Sequence, residues 1–149
     1  MGRHPRWVQR FLSESELHAI ARVIAEVETR TSGEIRIHLD PTCPGDPVAR
    51  AVEVFERLGM QGTTGRNGAL IYVAPDDHKL AVIGDEGIHA RVGQEYWERL
   101  VSDVAAHFRE GHACDGLVAA VREVGATLEA HFPREPDDRD ELSDAVSLE

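Results

Sequence analysis

Three acidic side chains stand where apolar segments begin or end, and their chemistry is that of hard-cation ligands. Glu34 opens the alternating stretch Glu34 to Leu39, and Asp85 and Glu86 follow directly on the apolar run Lys79 to Gly84. Calcium gathers roughly 6–8 oxygen ligands from carboxylates, backbone carbonyls and water, and magnesium takes one or two carboxylates plus water. Glu34, Asp85 and Glu86 are therefore candidate ligands for Ca2+ or Mg2+. The competing reading makes Glu34 and Asp85 helix caps or ion-pair partners of Arg66, since structural ion pairs are common. Arg66 and Asn67, just before Gly68, carry the opposite chemistry: a guanidinium and an amide that serve either as salt-bridge partners of those carboxylates or as an anion clamp. The segment Gly62 to Gly68 could also offer backbone N–H groups to a phosphate. It contains no Gly-Lys-Ser/Thr and leads into an apolar run instead of a helix, so it is not a Walker loop, and a plain connection competes with the anion reading.

Other residues of chemical type read as structural. Asp76-Asp77 follows Pro75 between two apolar runs, which is turn chemistry. The eight histidines form no H-E-x-x-H pattern and no Cys/His quartet, and His107 and His112 are five apart across a helix end, so solvated or capping roles are expected in place of zinc. Trp97 and Phe108 sit on an apolar helical stripe and belong to the core. Cys43 and Cys114 lie far apart without a C-x-x-C pattern, as suits reduced thiols in a reducing compartment.

The elements that must position these residues follow from periodicity. Ser13 and Glu16 form a capping box, and Leu17, Ile20, Ala21, Ile24 and Val27 recur at helical spacing, which predicts a helix over about 14–31, ended by Ser32-Gly33. Ile35, Ile37 and Leu39 alternate with polar neighbours, the period of a half-buried strand. Asp46-Pro47 is an N-cap followed by a favourable first position, opening a second helix that ends at Gly59. Ala69 to Ala74 is apolar without alternation, as a central strand covered on both faces should be. Lys79 to Gly84 returns as a third strand after a hairpin turn. Beyond Asp85 to Gly87 the pattern is helical, with a break near Gly93 and further helices around Trp97 to Phe108 and Leu117 to Leu128.

The first strand, second helix and second strand form a β-α-β unit, so these strands run parallel, and the hairpin turns the third strand back. Glu34, Arg66-Asn67-Gly68 and Asp85-Glu86 then fall at one end of the sheet, within roughly 10 Å if the second strand is central. Asp76-Asp77 falls at the other end.

Length and charge bound the rest. The chain has 149 residues, 42% hydrophobic and 29% charged, with a formal net charge of -11. That is the size and balance of one globular domain. The negative charge argues against nucleic acid and anionic membrane surfaces as partners. No apolar run approaches the roughly 20 residues needed to span a bilayer, and no signal-peptide stretch follows Arg3, Arg6 and Arg10, so there is no membrane insertion and a cytoplasmic location is expected. The organisation expected is an N-terminal arm over 1–12, a domain over 13–133 and an acidic, mobile tail over 134–149.

The segments Ser32 to Ile37, Arg66 to Val73 and Ile83 to Ile88 resemble the TPM domain family, which includes thylakoid lumen acid-phosphatase-like proteins, in order and spacing over about 13–133. The Gly-Asp-x-Gly-Ile and Arg-Asn-Gly segments are similar to its soluble bacterial-type branch. The resemblance implies an α/β fold, an α/β/α sandwich around a small mixed sheet with helices on both faces, and a fourth strand beyond the three read from the pattern; a short edge near Asp144 to Leu148 is the candidate. It also implies calcium binding or acid phosphatase activity, each reported in some members. The function expected is a stand-alone divalent-cation binding module with an unknown protein partner. The alternative is a metal-assisted phosphomonoester hydrolase acting on a small phosphorylated substrate, in which an ion and Arg66 neutralise phosphate while Asp85 or Glu34 activates water.

Overall fold

The computed structural model describes residues 4–134 and the backbone of 147–148. The remaining sequence features of the acidic tail, including its expected mobility, lie outside the described residues. Elements run in the order α1 (Arg6–Phe11), α2 (Glu14–Glu28), β1 (Glu34–Leu39), α3 (Pro47–Arg57), β2 (Gly68–Ala74), β3 (Lys79–Gly84), α4 (Glu86–Val92), α5 (Gln94–Arg109), α6 (Ala113–His131) and β4 (Ser147–Leu148).

The four strands form one mixed sheet in the order β3-β2-β1-β4. β1 runs parallel to β2, with Glu34 opposite Gly68 and Leu39 opposite Val73. β3 runs antiparallel to β2, with Ala69 opposite Gly84 and Ala74 opposite Lys79. The unalternating strand lies between β1 and β3, and all seven of its residues are buried. The short edge strand pairs parallel with β1 at His38 and Leu39.

Period-2 geometry splits the sheet into two faces. Ile35, Ile37, Leu39, Ala69, Ile71, Val73 and Val82 pack with the apolar stripes of α2, α5 and α6 in the larger core. Leu70, Tyr72, Ala74 and Ala81 on the other face meet Ala51, Val54 and Phe55 of α3 together with Met60 and Cys43. One helix therefore covers one face and the remaining helices the other, completing an α/β/α sandwich.

Local chemistry accounts for the helix limits. The Ser13 hydroxyl accepts from the Glu16 N–H (3.1 Å) while the Glu16 carboxylate accepts from the Ser13 N–H (2.9 Å), closing the capping box. α2 ends at Glu28, three residues short of the predicted end, where Thr29 bonds back onto the Glu26 carbonyl (2.6 Å). Asp46 caps α3 through the Ala49 N–H (2.9 Å). Gly93, at φ 83, makes the break between α4 and α5 in a region that strains other residues. The N-terminal arm carries α1, whose Val8 is fully buried along with Leu12. Among the described residues no helix is long and apolar enough to cross a membrane.

Candidate functional site

A charged corner forms where β2 begins and β3 ends. Arg66 donates from Nε to Asp85 Oδ2 (2.7 Å) and from Nη2 to Asp85 Oδ1 (2.9 Å), a two-point contact in which guanidinium and carboxylate lie edge to edge. Glu86 approaches the same guanidinium at 3.6 Å from Nη1. Asp85 is 8% exposed, and its Oδ1 also accepts the Glu86 N–H (2.8 Å), so it caps α4 as well. The hydrogen bond to Asp85 pushes the Arg66 pKa above its ordinary value.

The backbone holds Arg66 in place independently of its side chain. Its φ is 50, left-handed and costly for a non-glycine residue. The Arg66 carbonyl accepts the Gly87 N–H (2.8 Å), and the Arg66 N–H reaches the Thr63 carbonyl (3.2 Å). A Cβ on Gly87 would lie 2.1 Å from the Gly65 carbonyl oxygen and 2.6 Å from that of Arg66, so only glycine lets α4 come this close to the loop.

Glu34 lies at the same end of the sheet and on the same face, but it does not join the corner. Glu34 pairs with Gly68 from one side, and the Asp85 N–H bonds the Gly68 carbonyl (2.8 Å) from the other. Two strand spacings, roughly 10 Å, therefore separate their backbones. The space over Gly68 is filled: a Cβ there would meet the Met60 carbonyl oxygen at 3.3 Å and Phe55 Cζ at 3.5 Å. Met60 and Phe55 form a wedge between the two acids, and Glu34 is only 3% exposed. Asn67 is also turned inward, 1% exposed, with Nδ2 donating to Ser32 Oγ (3.2 Å). The structure thus gathers Asp85, Glu86 and Arg66 and leaves Glu34 and Asn67 out. Among the described residues no three His, Cys, Asp or Glu side chains are grouped as metal ligands.

Two acids at the corner already face one cation, the Arg66 guanidinium. Beside them lies a hollow of about 240 Å3, lined by Glu56, Gln61, Gly84 and Asp85 among others. The Arg66 side chain is 42% exposed and can leave toward solvent. Asp85 and Glu86 would then be the residues to hold Ca2+ or Mg2+, with Glu56 a further negative charge on the hollow.

A second polar group, absent from the sequence reading, occupies the opposite end of β1 and β2. Asp40, 4% exposed, accepts from Tyr72 Oη (2.5 Å) and from Arg50 Nε (2.8 Å), with His38 Nε2 at 3.1 Å. The rings of His38 and Tyr72 stack at 6.1 Å. Burial pushes the Asp40 carboxyl up, but the bonds from Arg50 and Tyr72 and the nearby His38 outweigh it and hold the pKa below the ordinary value. Tyr72 is driven well above the usual phenol range by burial and by the Asp40 bond. The adjoining loop is fastened from the turn before β3 and from its first residue: the Asp77 carboxylate accepts the Cys43 N–H (2.7 Å), and Lys79 Nζ donates to the carbonyls of Cys43 and Gly45 (2.8 Å each). This cluster neutralises its own charges and reads as a structural network. The signal that could have found it is the two-residue spacing of His38 and Asp40, which puts both on one strand face beside Tyr72.

A family model described as the TPM domain matches residues 8–127. The NMR structure of the BA42 protein from the psychrophilic bacterium Bizionia argentinensis is 38% identical, with a TM-score of 0.85 over 93% of this chain and 96% of that one. The N-terminal domain of a protein from P. gingivalis (18% identity, TM-score 0.68, 84% and 83% covered) shares the fold. So does the N-terminal domain of the cg2496 protein from Corynebacterium glutamicum (15% identity, TM-score 0.62, 86% of each chain). No curated protein matches.

Proposed function

Since this chain belongs to the TPM domain family, we propose that it is a cytoplasmic divalent-cation binding module with a protein partner, and that Ca2+ or Mg2+ enters at Asp85 and Glu86 in exchange for the Arg66 guanidinium. The observation that carries this reading is the corner itself: two acids converge on one exposed, displaceable cation. Two carboxylates make a low charge count, so affinity should fall in the weak range of calcium sites, about 10⁻⁴–10⁻³ M. The bound ion would supply local positive charge and fix the start of α4 for a partner to read.

The phosphomonoester hydrolase reading needs the Arg66 guanidinium for phosphate and a carboxylate for water. Both groups bind each other here, which weighs against it. The test is calorimetric titration of metal-free full chain with CaCl2 and MgCl2, alongside Asp85→Asn and Arg66→Ala. Asp85→Asn should weaken binding, and Arg66→Ala should leave affinity unchanged or raise it, because a competitor is removed. Calcium should also raise the melting temperature, since only the folded chain assembles the pair. Absence of saturable heat at millimolar metal would end the proposal. Metal-dependent turnover of a generic phosphomonoester that vanishes in Arg66→Ala would replace it with the hydrolase.

A further inference from the structure

The sheet face opposite the Asp85 hollow carries a cavity of about 630 Å3, well inside the roughly 300–1,000 Å3 range of small-molecule sites. Its walls are apolar and come from four elements: Phe11 of α1, Val73 of β2, Leu80 of β3, and Ala105 and Phe108 of α5. The register explains the wall, because Val73 pairs with Leu80 and both side chains point to this face. Phe11 and Phe108 meet edge to face at 5.4 Å between ring centroids. The rim is different. His78, held at φ 54, and Arg109 are exposed and border the cavity.

Charge sets this place apart from the rest of the molecule. The chain carries 27 acidic residues against 16 Lys and Arg, yet none of the nine lining residues is acidic. Of the carboxylates beside the lining residues in sequence, Asp77 is turned away to the Cys43 N–H, while Asp76 and Glu110 are exposed and do not line the cavity. Lys79 lends only its stem, since its ammonium donates to carbonyls on the other side of the sheet. Arg109 makes no hydrogen bond or ion pair among the described residues. An apolar bowl whose guanidinium has no partner among the described residues suits a ligand with an apolar body and one anionic head.

We propose that this cavity binds a small amphipathic carboxylate, its chain among Phe11, Leu80 and Phe108 and its head against Arg109. The probe is decanoate, kept below its micelle concentration and titrated into the full chain while backbone amide shifts are followed by NMR. Saturable shifts should centre on Leu80, Ala105, Phe108 and Arg109. Arg109→Glu, at an exposed position, should weaken binding by about tenfold or more, because attraction becomes repulsion at the head group. Leu80→Trp should fill the bowl and abolish binding; if that variant does not fold, Arg109→Glu decides. Decylammonium should bind more weakly than decanoate. Equal binding of the two, shifts located elsewhere, or no saturable shifts would overturn the proposal. So would movement of the same amides on dilution of probe-free protein, which would assign the face to a second copy of the chain.

Discussion

Tyr72→Phe removes one oxygen from the centre of the molecule, and its effect can be worked out from the contacts. Tyr72 is 0% exposed and Asp40 4%, so water does not replace the lost bond. The hydroxyl donates to a charged acceptor at 2.5 Å, and a bond of that kind contributes about 1.5–3 kcal/mol. The ring stays and still packs in the α3-side core, so little cavity cost is added. Asp40 keeps Arg50 at 2.8 Å and His38 at 3.1 Å, which sets the expected loss near the middle of that range, about 2 kcal/mol. For a domain of this size that is a fall in melting temperature of roughly 5–10 °C. The pH dependence provides a second check. Asp40 has a depressed folded-state pKa, so its stabilising contribution is complete above the unfolded value near 3.8 and is lost as pH falls through the folded value. The gap between wild type and variant should therefore be constant at neutral pH and narrow only as pH falls from about 3.8 through the lower folded value. Circular dichroism melts of both proteins at neutral and acidic pH measure it. A variant melting within a degree or two of wild type at pH 7 would refute the assignment of this bond as a major contributor.

Two further substitutions test the supports of the Asp85 corner and the helical layer. Gly87→Ala puts a methyl group 2.1 Å from the Gly65 carbonyl oxygen, a backbone atom that cannot rotate aside, and should cost at least about 2 kcal/mol, read as a lower urea midpoint with an unchanged slope. Ser13→Ala removes the hydroxyl half of the capping box at α2 and should cost about 1 kcal/mol, visible as a few degrees in a thermal melt and without effect on metal titration.

Much of this architecture was legible in the residues, and the parts that were not share a cause. The unbroken apolarity of Ala69 to Ala74 identified a strand covered by helices on both faces, and all seven residues of β2 are buried. Alternation gave β1, and the crossover and hairpin brought Asp85 and Arg66 to one end. Periodicity is silent, however, on what fills the space between strand ends. Glu34 is cut off by Met60 and Phe55, which arrive from the loop after α3 and from α3 itself, and no pattern within β1 announces them. His38 and Asp40 occupy the polar positions of an alternating strand, which in isolation suggests a solvent face. Because α3 covers that face, these side chains are buried and must satisfy one another. The helix Arg6–Phe11 escaped for a local reason: Pro5 offers no side-chain cap and the element has six residues, too short for a stripe to show.

At the Asp85 corner the side chain and the backbone of Arg66 are held by separate bonds. A site that exchanges a guanidinium for a metal ion is useful only if the exchange does not unravel the loop that supplies the guanidinium. Here the Arg66 backbone is fixed by the Gly87 N–H and the Thr63 carbonyl, and the next residue by the Thr63 hydroxyl, which accepts the Asn67 N–H at 3.1 Å. Thr63 and Asn67 are themselves buried. None of these bonds uses the Arg66 side chain, so its departure frees rotatable side-chain bonds while the main chain stays in place. Asp85 is equally secured, since its N–H bonds Gly68 on β2. The carboxylates proposed as ligands are therefore pre-organised by the sheet and the cap of α4, and the Arg66 guanidinium keeps Asp85 paired. A buried carboxylate left alone would be costly. Arg66 removes that cost in the free protein and, for the same reason, limits the affinity of any ion that replaces it.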